Sequence, residues 1–92
     1  MDPLAVIPSL MKNMPGIQEA YHKISFECYR KTKAGSHQKV LVEILDAGPD
    51  AGESRYMCVA AAEDGRQASG NPAHSIEVVL AIVHWGDLDR EI

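Results

Sequence analysis

Ninety-two residues hold one phenylalanine, one tryptophan and two cysteines, and each scarcity removes a class of protein. Cys28 and Cys58 are too few for a disulfide framework or a four-ligand zinc pattern, and on strands that are not neighbours they stand too far apart to pair. No apolar run approaches the roughly 20 residues that cross a bilayer, so no membrane contact is expected. The opening MDPLAVIPSL carries an acid and two prolines where a secretion signal has Lys or Arg before an unbroken apolar run. A cytoplasmic protein is the simplest reading. Cations are short as well: nine Lys and Arg against thirteen Asp and Glu give a net charge of −4. That balance disfavours general binding to nucleic acid or an anionic membrane, which needs clustered cations.

What is present suits one globular α+β domain over residues 1–92, with 46% hydrophobic and 24% charged residues. Asp2 and Pro3 read as an N-cap and first helical residue. Pro8 is expected to limit this helix to one or two short turns ending near Lys12. Residues 21–30 alternate, with Ile24, Phe26 and Cys28 on one face and Ser25, Glu27 and Tyr29 on the other. KTKAGSHQ turns the chain into KVLVEIL, so these two runs predict an antiparallel hairpin. RYMCVAAA is a third strand, EDGR a two-residue hairpin loop, and QASG a short fourth strand. Asn71 then caps a helix that begins at Pro72 and continues through AHSIEVVLAIVHW to Gly86. On that helix Ile76, Val79, Leu80 and Val83 form one apolar stripe, and Val78, Ile82 and Trp85 form a second.

The stretch from Val40 to Trp85, with GPD at 48–50, EDGR at 63–66 and ASG running into the helix, resembles the second half of a double-stranded RNA-binding domain. The pattern along the whole chain predicts a four-stranded antiparallel meander with the C-terminal helix and a short N-terminal helix on one face, and the resemblance covers its last three strands and the C-terminal helix. The strand before Val40 has no place in the family's minimal frame, a helix followed by three strands. The family also reaches the RNA minor groove with a histidine after Gly-Pro, where this chain has Ala51. It sets lysines against phosphates at the start of the last helix, where this chain has Ala73, His74 and Glu77. A carboxylate there repels phosphate, so duplex RNA is not an expected partner.

Catalytic and metal signatures are missing from the pattern. His74 and His84 are ten apart and cannot converge from one helix as metal ligands, and a helix-end role suits His84 better. Cys28 and Cys58 lie in alternating apolar runs and read as small buried hydrophobes. Asp46, Asp50 and Glu53 lack calcium-loop spacing and read as a solvated acidic loop. No cofactor, small-molecule substrate or enzymatic activity is expected.

Two features remain as candidate binding surfaces. Arg30, Lys31, Lys33 and Lys39 place four of the nine Lys and Arg residues at the first hairpin, with Tyr29 beside them for stacking. They read either as a solvated tip that protects a strand edge or as a positive site for an acidic protein or a nucleic-acid strand. The acidic DLDREI tail offers the same cations a partner within a second chain. Val78, Ile82 and Trp85 make the other surface, an apolar stripe that needs cover from the N-terminal segment, a partner protein or a second copy in a homodimer. The leading expectation is therefore a non-catalytic, protein-binding adaptor or subunit. The alternative is an RNA-binding module that uses the hairpin at 30–39.

Overall fold

Apolar and polar residues alternate along most of the chain, and the sheet follows from that alternation. The computed structural model describes residues 3–89, with residues 3 and 4 described as backbone. The elements are α1 (Pro3–Asn13), β1 (His22–Lys31), β2 (His37–Asp46), β3 (Tyr56–Ala62), β4 (Gln67–Ser69) and α2 (Ile76–Ala81), with 3-10 turns at Pro49–Ser54 and Trp85–Asp89. The strands form one antiparallel sheet in the order β1-β2-β3-β4, the meander expected from the pattern. Ile24 pairs with Ile44, Phe26 with Val42 and Cys28 with Val40, so their side chains share a face. Val40, Val42 and Ile44 of that face meet Cys58, Ala60, Ala68, Val79, Val83 and Leu88 in the core.

Both tight hairpins close with three residues rather than two. Thr32 N–H donates to Ser36 C=O at 2.8 Å, and Ala62 N–H donates to Arg66 C=O at 2.8 Å. Each loop ends in a glycine at positive φ, Gly35 at 85° and Gly65 at 94°. A turn followed by one left-handed residue reverses the strand with a bulge, and glycine takes that conformation at no steric cost. The two-residue loop read at EDGR is corrected accordingly.

The helices depart from expectation in opposite directions. The N-terminal one runs unbroken to Asn13 through Pro8. Proline there removes a single hydrogen bond, and later ones compensate: Met14 N–H donates to Leu10 C=O at 3.0 Å, and Asn13 Nδ2 to Ser9 C=O at 2.8 Å. The cap read at Asp2 lies outside the described residues. Ile7 is buried, and with Met11 it borders clefts shared with Ala20, Ala47, Gly48 and Pro49, which places α1 beside the β2–β3 connection.

The C-terminal helix is shorter than predicted. Tyr56 and Ala73 exchange backbone hydrogen bonds at 2.9 Å in each direction, which holds Ala73 extended and postpones the helix. Ser75 is the cap instead of Asn71, accepting from Val78 N–H through its side chain. Ile82 closes the helix, and the chain re-coils in the 3-10 turn that contains Trp85. Ile76, Val79, Leu80 and Val83 still face the core as read from their spacing.

Candidate interaction surface

The core is narrow because four of its members are alanines, Ala60, Ala62, Ala68 and Ala73. Small side chains let α2 lie close over β3 and leave β1 beyond its reach. Phe26 is 50% exposed and Cys28 is also exposed, although both point to the face on which the core lies. The result is an open groove of about 460 Å³ between β1 and α2. Ile24, Phe26 and Cys28 form one wall, Val42 and Ile44 the floor, and Ile76, Leu80 and Trp85 the other wall.

Trp85 is fixed in that wall. Its indole Nε1 donates to Leu80 C=O at 2.9 Å, satisfying a carbonyl at the helix end while the ring faces the groove. The turn that carries it is anchored from three sides. Leu88 is buried, and its carbonyl accepts from Gln38 Nε2 at 3.2 Å and Arg66 Nη1 at 3.3 Å. Asp89 accepts from Arg30 Nη2 at 2.9 Å and from Lys33 N–H at 3.3 Å. These donors hold the Asp89 carboxyl below its ordinary pKa, Arg30 contributing most. The acidic tail thus meets the hairpin within its own chain, as far as Asp89; Arg90, Glu91 and Ile92 lie outside the described residues.

The predicted basic cluster is divided by this geometry. Arg30 lies on the core face, paired with Gln38, and Gln38 Oε1 accepts from it at 2.6 Å. Lys39 lies on the opposite face between Glu27 at 3.5 Å and Glu63 at 3.7 Å. Its pKa is raised, Glu27 being the chief cause. Tyr29 pairs with Lys39 on that opposite face and is 73% exposed. Lys31 ends β1 on that same face and Lys33 sits in the turn. Arg30 is therefore an internal anchor, and replacing it with Gln should lower the melting temperature by a few degrees, whereas Lys31→Gln should leave it unchanged. Equal thermal melts for the two variants would remove the anchoring role.

The second stripe also divides. Val78, Ile82 and Trp85 are about equally exposed, at 37%, 39% and 36%, and of the three Trp85 alone borders the groove. α1 does not border that groove. Sequence periodicity missed Phe26, Ile24, Leu80 and Ile76 as site residues, because only the short length of α2 uncovers them.

Cys58 is fully buried, as expected, and burial raises its thiol pKa. Cys28 is exposed, which corrects the reading of it as a buried hydrophobe: its strand lies outside the helix's cover. A thiol reagent should modify Cys28 in the native protein at least tenfold faster than Cys58, with the two rates converging in urea. Equal native rates would place Cys28 under cover.

Ala51, Ala73 and Glu77 have definite places in the fold. Ala73 is buried in its bridge to Tyr56, Ala51 is half-buried in the 3-10 turn, and Glu77 stands exposed in the first turn of α2. Among the described residues no cluster of His, Cys, Asp and Glu could hold a metal ion, and no helix is long and apolar enough to cross a membrane. Comparison with protein-family models, curated proteins and solved structures finds no match to this chain.

Proposed function

We propose that this chain is a small non-catalytic interaction module whose groove accepts apolar side chains of a partner protein. The groove carries the reading: an almost wholly apolar concavity that keeps a half-exposed Phe26 opposite a hydrogen-bonded Trp85. Apolar surface gathered in one place, rather than scattered, is the mark of an interface. The dimensions agree with it. A 92-residue domain packed to ordinary density has a radius of gyration of about 12 Å, whereas this chain measures 15.4 Å and extends 48 × 24 × 23 Å. Much of its surface is available for a partner to cover.

On this reading the sequence resemblance to double-stranded RNA-binding domains is one of scaffold without the RNA grip. Glu77 opposes phosphate, and the hairpin cations are split between two faces and partly neutralised. A duplex of about 16 base pairs, the span of such domains, should show no saturable submicromolar binding at physiological salt. Tight binding that weakens steeply with salt would overturn the protein-binding reading in favour of the nucleic-acid one.

The direct test is capture of partners from the source cells by the wild type and by Trp85→Ser, which removes the ring from the groove wall. Partners that elute from the wild type and not from the variant, at low and high salt alike, support the groove. Identical capture by the two proteins would remove it.

A further inference from the structure

β1 is an end strand of the sheet, and among the described residues no strand pairs with its outer edge, although α1 touches the strand. β1 pairs with β2 over ten consecutive positions without a bulge, and it contains no proline or glycine. Hydrogen bonds at the hairpin fix which backbone groups face outward. Thr32 and Ser36 form a bonded pair, and bonding alternates along an antiparallel ladder. The even-numbered residues of β1 therefore bond to β2. The N–H and C=O groups of Lys23, Ser25, Glu27, Tyr29 and Lys31 point away from the sheet.

Proteins usually guard such an edge with outward charges. Here two of the strand's charges pair across to β2 while their side chains stay exposed: Lys23 binds Glu43 at 2.7 Å, and Glu27 reaches Lys39 at 3.5 Å. On the other face the middle of the strand is Ile24, Phe26 and Cys28, with no charge at all.

We propose that two copies of this chain join edge to edge through β1, antiparallel about a two-fold axis at Phe26, to form one continuous eight-stranded sheet. The inference shares Ile24, Phe26 and Cys28 with the groove reading, but it rests on the outward backbone of β1 and takes a second copy rather than a partner protein. A two-fold axis normal to the sheet pairs residues of equal parity, so each register is defined by the residue on the axis. With Glu27 on the axis, Glu27 faces Glu27 and Lys23 faces Lys31, so every pair of formally charged residues on the bonded positions is repulsive. With Ser25 on the axis the overlap within the strand shrinks to residues 22–28.

The axis at Phe26 pairs residues 22–30. It sets Ser25 against Glu27 and Lys23 against Tyr29 as the bonded pairs, with Lys23 diagonal to both Glu27 and Lys31 of the second copy. On the groove face Phe26 meets Phe26 and Ile24 meets Cys28. No two residues of like formal charge face each other. This register consumes the outward backbone groups of four residues in each copy and covers the half-exposed Phe26.

Sedimentation equilibrium of the full chain up to about 100 µM tests the proposal. Twice the 10.0 kDa chain mass is expected, and a monomer throughout overturns it. Ser25→Pro removes an N–H that faces outward, so the β1–β2 ladder is spared while edge pairing is blocked. A folded monomer is expected; a dimer as tight as the wild type's overturns the edge. Phe26→Cys in a Cys28→Ser background decides register, and it decides the whole question should Ser25→Pro fail to fold. Non-bonded partners on the axis stand about 4.5 Å apart at Cα, within disulfide range, so mild oxidation should give a covalent dimer in high yield. Failure to cross-link overturns the axis at Phe26. A groove that still captures partners in a monomeric wild type would leave the functional reading standing and remove only this one.

Discussion

Asp46→Ala should destabilise the protein by about 3 kcal/mol, a large share of the stability of a domain this small. Asp46 is 5% exposed, and a buried carboxylate persists only where its charge and lone pairs are met. Arg55 supplies both in a two-pronged contact, Nε to Oδ1 at 2.9 Å and Nη2 to Oδ2 at 3.1 Å, and Gly48 N–H adds a third bond at 2.8 Å. Arg55 also lies over the Tyr56 ring, 4.8 Å from its centre. Together these groups fold the 46–56 connection back on itself. Removing the carboxylate strands a guanidinium whose side chain is 22% exposed, which limits the loss to the low end of the range for broken buried pairs.

The same contact sets a pH dependence. Arg55 is the largest cause holding the Asp46 carboxyl below its ordinary value, with burial acting against it. A carboxyl depressed on folding contributes stability that is fully present above its unfolded pKa of about 3.9 and is lost as pH falls through the folded value. Urea melts of wild type and Asp46→Ala should therefore differ most near neutrality and converge in acid. Asp64 and Asp89 are also depressed, by the Arg66 backbone N–H and by Arg30 respectively, and both remain in the variant. Convergence of the two curves then belongs to Asp46 itself. A constant gap down to about pH 2, well below that unfolded value, would show that packing rather than charge accounts for the effect.

The sheet was legible because its signal is local. Alternation at Ile24, Phe26 and Cys28 and at Val40, Val42 and Ile44 is a property of neighbouring residues, and the strands formed where it predicts them. Helix limits were not local in the same way. Nothing near Pro72 announces that Ala73 will bond to Tyr56, seventeen positions earlier, and hold the chain extended. Ser75 was an equally good cap by residue type, and the bridge at Ala73 decided between it and Asn71. The basic cluster failed as a patch for a related reason: cations close in sequence alternate between faces on a strand. Residues 30 and 39 therefore separate, and Asp89 claims Arg30 from 59 positions away. The groove depends on all of these together, since it is the space left when a short α2 covers β3 and stops short of β1.

Gly70→Val should cost about 3 kcal/mol, and the loss should be felt at the groove as well as in the fold. A Cβ on Gly70 would stand 2.8 Å from the Ile82 carbonyl oxygen and 3.1 Å from the Val83 Cα. Both obstacles are backbone, so no side-chain rotation relieves them. The gap cannot widen freely either, because His84 N–H donates to Ser69 C=O at 3.1 Å and ties the exit of β4 to the end of α2. Glycine is required here for close approach rather than for an unusual dihedral angle, since it is absent from the glycines at positive φ. Forcing the two backbones apart displaces the turn from which Trp85 bonds to Leu80, so the groove wall should loosen while the distant β1–β2 hairpin stays intact. Fluorescence of this single tryptophan reports the wall directly, and its emission should shift to the red in Gly70→Val under conditions where circular dichroism still shows a folded protein. Gly86→Ala is the matched control: its added Cβ would meet nothing within 4 Å, so stability and emission should stay at wild-type values. A Gly70→Val protein with wild-type stability and emission would mean that β4 and α2 can part without consequence, and that Trp85 is positioned by the Arg30, Gln38 and Arg66 anchors alone.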